Sequence, residues 1–323
     1  MAKSMTTRAW VALVAVYIVW GSTYLAIRYA VETIPPFLTA GIRFLVAGSI
    51  LYIWQRLNGT PAPKKVEWRS AAIIGLLLLL GGNGLLNWAE TRIPSGISSL
   101  FIATVPLWMV VIDAIRPHGS KAGWLVWVGV LVGLAGTALL ANPWQSHAGS
   151  PALDPLGLGV LIFAALSWSI GSLYSRKAPL PSSPLLGTAM EMLVGSLGLF
   201  AVGSATGEWS QFHLAAISMR SVAGLVYLII FGSGIGFVAY TWLLRNAPTP
   251  LVSTYAYVNP VVAILLGSFI GREPLETIEI VSAIVIIAGV VLITTAKTLA
   301  SKKPPATQSP PTLDRVPSID QHS

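Results

Sequence analysis

The chain contains no cysteine, so disulfides, thiolate nucleophiles and Cys-ligated metal sites are all excluded from its chemistry. Charge is scarce as well: Asp, Glu, Lys and Arg together make up 10% of 323 residues, too little to clothe a soluble domain of this size. Histidine is rarer still. His118, His147, His213 and His322 all fall in expected loops or in the tail, no HExxH motif occurs, and no acidic pair shares a helix face at mid-span. Hydrolytic chemistry is thereby left without a base or a metal. The net charge of +8 does not argue for nucleic acid, because the cations lie singly or in short groups between apolar stretches.

What the chain has in abundance is apolar length. Hydrophobic residues make up 54% of it and the mean hydropathy is +0.73. About ten stretches of roughly 20 residues, nearly free of charge, match the hydrocarbon thickness of a bilayer at a rise of about 1.5 Å per residue. They predict membrane helices over Trp10–Ala30, Leu38–Arg56, Ala71–Trp88, Gly96–Ile112 and Gly123–Ala141. After a polar break, five more are predicted over Pro155–Tyr174, Leu185–Thr206, Ser221–Leu244, Leu251–Ile270 and Glu279–Ala296. The leader from Met1 to Arg8 is too short and polar for a cleavable signal, so the first stretch is expected to stay as a helix. The Pro-, Ser- and Lys-rich tail, 300–323, has nothing to bury and is expected to be a disordered cytoplasmic segment.

Lys and Arg set the direction. Lys3, Arg8, Arg56, Lys64, Lys65, Arg69, Arg116, Lys121, Arg176, Lys177, Arg245, Lys297, Lys302, Lys303 and Arg315 fall on one side of the spans, whereas Arg28, Arg92, Arg220 and Arg272 fall on the other. The richer side is expected to be cytoplasmic, with both termini inside. Trp10, Trp54, Trp68, Trp124, Trp144 and Trp209 sit at span ends, where an amphipathic ring prefers the headgroup layer.

The halves repeat. W-G-S-T-Y-L-A-I-R from Trp20 lies over W-S-I-G-S-L-Y-S-R from Trp168, and R-F-L-V-A-G-S from Arg43 over E-M-L-V-G-S-L from Glu191. Farther on, Trp88 matches Trp242, Pro94 matches Pro248 and Pro106 matches Pro260. Each copy has about five spans, an odd number, so the second must enter the membrane from the opposite side. The expected fold is all-α, about ten transmembrane helices in two inverted five-helix repeats, 1–146 and 147–299. Inverted halves give two conformations of similar energy, one open to each side, around a site at the midplane.

Polar and aromatic side chains inside the spans mark that site. Asn83, Asn87 and Glu90 are spaced i, i+4, i+7 on the third span; Tyr255 and Asn259 are four apart on the ninth, with Tyr257 nearby; Ser233 and Tyr240 share a face of the eighth. Trp20 and Trp168 add large aromatic surfaces near span centres, and Trp88 completes the set expected to bind substrate. Two readings stay open for these groups: a hydrated cavity wall, or interhelical hydrogen bonding alone. Gly81, Gly82 and Gly84 crowd around Asn83 more densely than packing requires, which predicts a locally loosened helix. Pro106 and Pro260 are either a pair of gate elements or static bends. Arg43 and Glu90 are expected to close one side and Glu191 and Arg245 the other; the bland alternative is that each charge snorkels to its own interface.

W-G-S-T-Y-L-A-I-R (Trp20 to Arg28), followed by P-P-F-L-T-A-G-I-R-F-L-V-A-G (Pro35 to Gly48), resembles the opening signature of the EamA family in the drug/metabolite transporter superfamily. G-N-G-L-L-N-W-A-E-T-R-I-P-S-G (Gly82 to Gly96) with T-V-P-L-W (Thr104 to Trp108) is similar to an exporter-like branch. Y-A-Y-V-N-P-V-V-A-I-L-L-G (Tyr255 to Gly267) and G-R-E-P-L (Gly271 to Leu275) extend the likeness over the second half. The resemblance implies a ten-helix inner-membrane carrier with a central cavity, often exporting amino acids, related metabolites or toxic small molecules. It also implies a Glu after the fourth helix of each repeat; Glu273 supplies the second, whereas the first half reads D-A-I-R-P-H-G-S-K, with Asp113 as the candidate substitute.

The expectation is a secondary transporter, an exporter of small amphipathic organic metabolites such as amino acids, working by alternating access. A channel-like facilitator and an intramembrane enzyme are the alternatives; a continuous charged ring would favour the first and a metal or Ser/His couple the second. No cofactor is expected. The expected partners are a small-molecule substrate and membrane lipid, with protons on Glu90 or Glu191 as the candidate coupling ion.

Overall fold

The computed structural model describes residues 7–115, 123–141, 154–247, 252, 255–272 and 276–302, and every element among them is helical. Asp113, Arg245 and Tyr257 belong to described backbone, but their side chains lie outside what is described; Glu273, Trp144 and the 303–323 part of the tail lie outside altogether.

Among the described residues, seven helices are long and apolar enough to cross a membrane: Thr7–Ala30, Pro36–Leu57, Lys65–Ala89, Ser95–Ile112, Pro155–Ser175, Pro184–Ala205 and Met219–Leu243. Three shorter apolar helices, Trp124–Gly136, Val258–Phe269 and Ile280–Gly289, accompany them. Each overlaps one of the stretches predicted from hydropathy.

Helix starts follow from local chemistry. Thr7–Ala30 forms α1 and Pro36–Leu57 forms α2, the latter with proline in its first turn, where a missing N–H costs nothing. The free amides of Phe37 and Leu38 donate to the Glu208 carboxylate, on the short α10 (Glu208–Gln211), at 3.2 and 2.9 Å, a cap delivered from far along the chain. Asp154 caps α8 (Pro155–Ser175) by accepting from the Leu156 amide, and Ser183 caps α9 (Pro184–Ala205) by accepting from Leu186. At the far end of α2, Gly59 takes φ +78°, a turn that L side chains resist.

The third helix of each half is not regular. α3 (Lys65–Gly75) runs through a π-helical segment, Leu76–Gly84, into α4 (Leu85–Ala89). α11 (Met219–Tyr227) runs through a second π segment, Leu228–Phe237, into α12 (Val238–Asn246). The loosening expected around Gly81, Gly82 and Gly84 is therefore a π turn, and a counterpart lies at nearly the same register of the other half. Such turns concentrate at functional sites because they widen the helix and re-aim side chains.

Between them, α5 (Ser95–Ile102) and α6 (Val105–Ile115) are separated at Ala103 and Thr104, with Pro106 in the first turn of α6. Without an N–H, Pro106 cannot bond back to the preceding turn, and the break falls there. Its counterpart Pro260 lies inside the uninterrupted α13 (Tyr255–Phe269). The two prolines thus differ: one sits at a break between helices and the other within a continuous helix.

Packing pairs elements that the sequence repeat places in correspondence: α2 lies along α9, and α7 (Trp124–Ala141) along α14 (Thr277–Lys302). Glycine makes the second approach possible, since a Cβ on Gly289 would stand 2.5 Å from the Gly133 nitrogen and 2.7 Å from the Gly129 oxygen. α1 packs on α13 and on the second π segment; α8 packs on α6 and on the first. The outward surface is apolar, with Trp10, Val11, Val14, Ile18, Ile50 and Ile53 exposed. Trp10, Trp54, Trp124 and Trp209, expected as interface anchors, are each at least half-exposed.

Candidate functional site

A cavity lies where α1, α8 and the two π segments meet. Trp20 and Trp168 stand edge to face across it, ring centres 5.9 Å apart at 82°. Tyr240 lies 4.7 Å and Tyr255 5.4 Å from the Trp20 ring, and Tyr240 and Tyr255 meet each other edge-on at 5.6 Å. The structure thus brings together four aromatic residues that the sequence singled out. The Trp20 indole N–H donates to the Gly232 carbonyl at 3.3 Å, an acceptor within the second π segment.

Each tryptophan rests on a glycine of the opposite half. A Cβ on Gly236 would stand 2.6 Å from Trp20 Nε1, and a Cβ on Gly82 would stand 2.7 Å from Trp168 Cε3. Trp20 and Trp168 correspond in the repeat, and so do Gly236 and Gly82. The glycines let a bulky ring lie against helix backbone, and the π turns carry them.

Asn83 and Asn259 also line this cavity. With its nitrogen turned toward the carbonyls of Tyr255 and Tyr17, the Asn259 amide donates to both at 3.2 Å. Thr23, Tyr24, Leu86 and Phe237 line it too and were not anticipated. Phe237 was reachable from the repeat, whose register lays it over Asn83.

The rest of the expected polar stripe turns away. Asn87 is fully buried and donates to the Pro36 carbonyl at 3.4 Å, at the start of α2. Trp88 lines a separate pocket of about 940 Å³ with Glu32, Pro35, Arg92 and Glu208, and the Arg92 guanidinium lies 4.5 Å above its ring. Glu90 is fully buried, and its main-chain carbonyl accepts from Arg28.

Arg43 does reach the central cavity. Its Nε donates to Ser233 Oγ at 2.7 Å, which explains the buried Ser233, and its guanidinium lies 4.7 Å from the Phe44 ring centre. In this conformation its hydrogen bond goes to Ser233, in the other half of the chain. Glu191, its repeat counterpart, instead lines a third pocket of about 1230 Å³ with Arg176, Thr188, Tyr240 and Thr241. Thr188 donates to Thr241 at 3.0 Å beside it. Tyr240 forms the wall between this pocket and the aromatic cluster.

The Arg92 end is knitted by charges in the loops and at helix ends. Arg92 meets Asp154 at 3.0 Å, which holds that carboxyl below its ordinary value, and Arg220 meets Glu32 at 3.4 Å. Burial pushes the Glu208 carboxyl up despite its two amide donors. Among the described residues, no group of three or more His, Asp or Glu could hold a metal ion.

Membrane-length helices around an aromatic cavity agree with what the comparisons find. The profile of the EamA-like transporter family matches residues 7–142 and 155–295. This chain belongs to that family. The uncharacterized inner membrane transporter YedA of Escherichia coli strain K12 is 41% identical over 270 residues, covering 83% of this chain and 84% of that one. The chloroplastic WAT1-related protein At3g02690 of Arabidopsis thaliana is 27% identical, covering 85% of this chain and 67% of its own length. A solved crystal structure with 21% identity superposes with a TM-score of 0.63 over 91% of this chain and 99% of that one, a likeness of fold. The protein is a membrane transporter of the EamA-like family.

Proposed function

We propose that this transporter is a secondary carrier that exports small amphipathic organic metabolites, amino acids or related compounds, by alternating access. The observation that carries the proposal is the cavity between Trp20 and Trp168, walled by corresponding residues of both halves. Aromatic faces hold an apolar body, and the amides and the one cation hold a polar end. The proposal includes ten helices in two inverted repeats in the bacterial inner membrane with both termini cytoplasmic. Its support is the doubled family match, the repeat register and the pairing of α2 with α9 and α7 with α14.

Gating belongs to the same proposal: Arg43 leaves Ser233 for Glu90 when one side closes, and Glu191 meets Arg245 when the other does. Labelling of introduced cysteines tests it, since Arg43→Ala is expected to raise exposure on one side and Arg245→Ala on the other. Equal labelling in both variants refutes it.

Transport itself is tested in proteoliposomes with a labelled amino-acid panel, with and without a pH gradient. Uptake of at least one member that is lost in Trp20→Ala is the expected result; a gradient-driven rate marks protons as the coupling ion. Flat uptake across the panel rules out the amino-acid reading.

A further inference from the structure

Arg43 brings the single charge in the lining of the central cavity among the described residues. Only 3% of the residue is exposed. Ser233 occupies Nε and the Phe44 ring flanks the guanidinium, but Nη1 is buried and has no hydrogen-bond partner in the protein. On the same lining the indole N–H of Trp168 is a second buried donor; it lies beside the Tyr240 and Tyr255 hydroxyls without forming a well-aligned hydrogen bond to either. Buried donors are nearly always satisfied, and a buried guanidinium needs an anion as well as an acceptor. Among the described residues no carboxylate lines this cavity: Glu90 is buried and is not part of the lining, and Glu191 lines the pocket at the Arg176 end. The remaining lining is largely aromatic and aliphatic and includes Trp20, Phe237, Tyr255 and Leu86.

We infer that the cavity selects its solute by a carboxylate, which accepts from Arg43 Nη1 and Trp168 Nε1 while an apolar body lies against the aromatic wall. Ser233 is a positioning residue: by fixing Nε it turns the outer edge of the guanidinium toward the solute. The amino group of an amino acid is then optional, because no acidic side chain lines the cavity to receive it. A cationic amine of the same size is rejected by the like charge of Arg43. This inference rests on the reading of the central cavity as the transport site.

The test is equilibrium binding to the purified full chain of four matched probes: 3-phenylpropionate, phenylalanine, 3-phenylpropanamide and 3-phenylpropylamine. The two carboxylates are expected to bind at least about tenfold more tightly than the amide, and the amine most weakly, as a charge-assisted hydrogen bond in a buried site implies. Arg43→Gln is expected to bind acid and amide alike, whereas Arg43→Lys keeps part of the preference. Ser233→Ala is expected to weaken the acid and leave the amide unchanged, a difference that general loss of packing would not produce. Amide or amine binding as tight as acid in the native protein overturns the inference, as does an acid preference that survives in a folded Arg43→Gln. Absence of binding by all four probes overturns it too. If Arg43→Gln does not fold, the four-probe comparison on the native chain decides alone. Uptake of a neutral or cationic solute by proteoliposomes, with no carboxylate preference, would leave the transporter standing and remove only the role given to Arg43.

Discussion

The two halves agree where they pack and differ where they carry charge. Trp20 lies on Gly236 and Trp168 on Gly82, each ring on a π segment of the other half. At the matched positions on their second helices, however, Arg43 faces the central cavity while Glu191 faces the pocket at the Arg176 end. Two similarly packed halves thus hold a cavity whose described lining carries one charge. Packing constrains both copies to the same solution, because a ring on bare backbone tolerates few alternatives. The charged position is free to diverge, and the divergence gives the cavity a direction.

The largest effect on that comparison is expected from the rings themselves. Trp20→Ala removes one hydrogen bond and contacts with Trp168, Phe237, Tyr240 and Tyr255, and is expected to cost about 3–5 kcal/mol. Trp168→Ala leaves the Trp20–Tyr240–Tyr255 group in place and is expected to cost less, measured by thermal unfolding in detergent. Equal losses would mean that the halves contribute equally to the wall.

Next come the glycines. Gly82→Leu and Gly236→Leu each drive a side chain into a tryptophan, at roughly 1–3 kcal/mol apiece. Gly234→Ala meets only the Ile229 oxygen, at 3.4 Å, and is expected to be tolerated in the same assay. A destabilised Gly234→Ala alongside a tolerated Gly236→Leu would contradict the ring-on-glycine account.

Asn87→Leu separates two readings of a single residue. With its amide on Pro36 rather than in the cavity, the substitution is expected to lower stability by about 1–3 kcal/mol and to leave the affinity for solute unchanged. A loss of affinity at unchanged stability would return Asn87 to the binding wall.

The smallest effect concerns Glu208, a residue of one half only. Its carboxyl pKa is raised on folding, so the folded state binds the proton more tightly than the unfolded state. The stabilisation is complete below the ordinary value of 4.5 and is lost as pH rises through the raised one. Melting temperature is expected to fall over that window as pH increases, with a shallower slope in Glu208→Gln. An identical slope would show that the cap on α2 titrates elsewhere.

The apolar helices and the meeting of Trp20 with Trp168 were legible because hydropathy and bulk are properties of sequence. The i, i+4, i+7 stripe failed for a physical reason. It assumes an α-helical step throughout, but Asn83 sits in a π segment that ends at Gly84, and Asn87 and Glu90 follow it. The wider turn changes the angle per residue, so Asn83 faces the cavity while Asn87 faces α2. Arg43 was recognisable as a buried charge, but its bond to Ser233 joins positions 190 residues apart in different halves, which one sequence does not reveal. Glu208 was missed for a similar reason, since it caps a helix 170 residues earlier in the chain.

The crossed placement of each tryptophan on the other half's glycine makes the halves mutually incomplete. Severed between Ala141 and Asp154, either fragment would present a bare groove along its π segment and a ring with no seat. Two such fragments made as separate polypeptides in one cell should therefore accumulate together and be degraded apart. That would be the behaviour of a heterodimer whose subunits happen to share one chain.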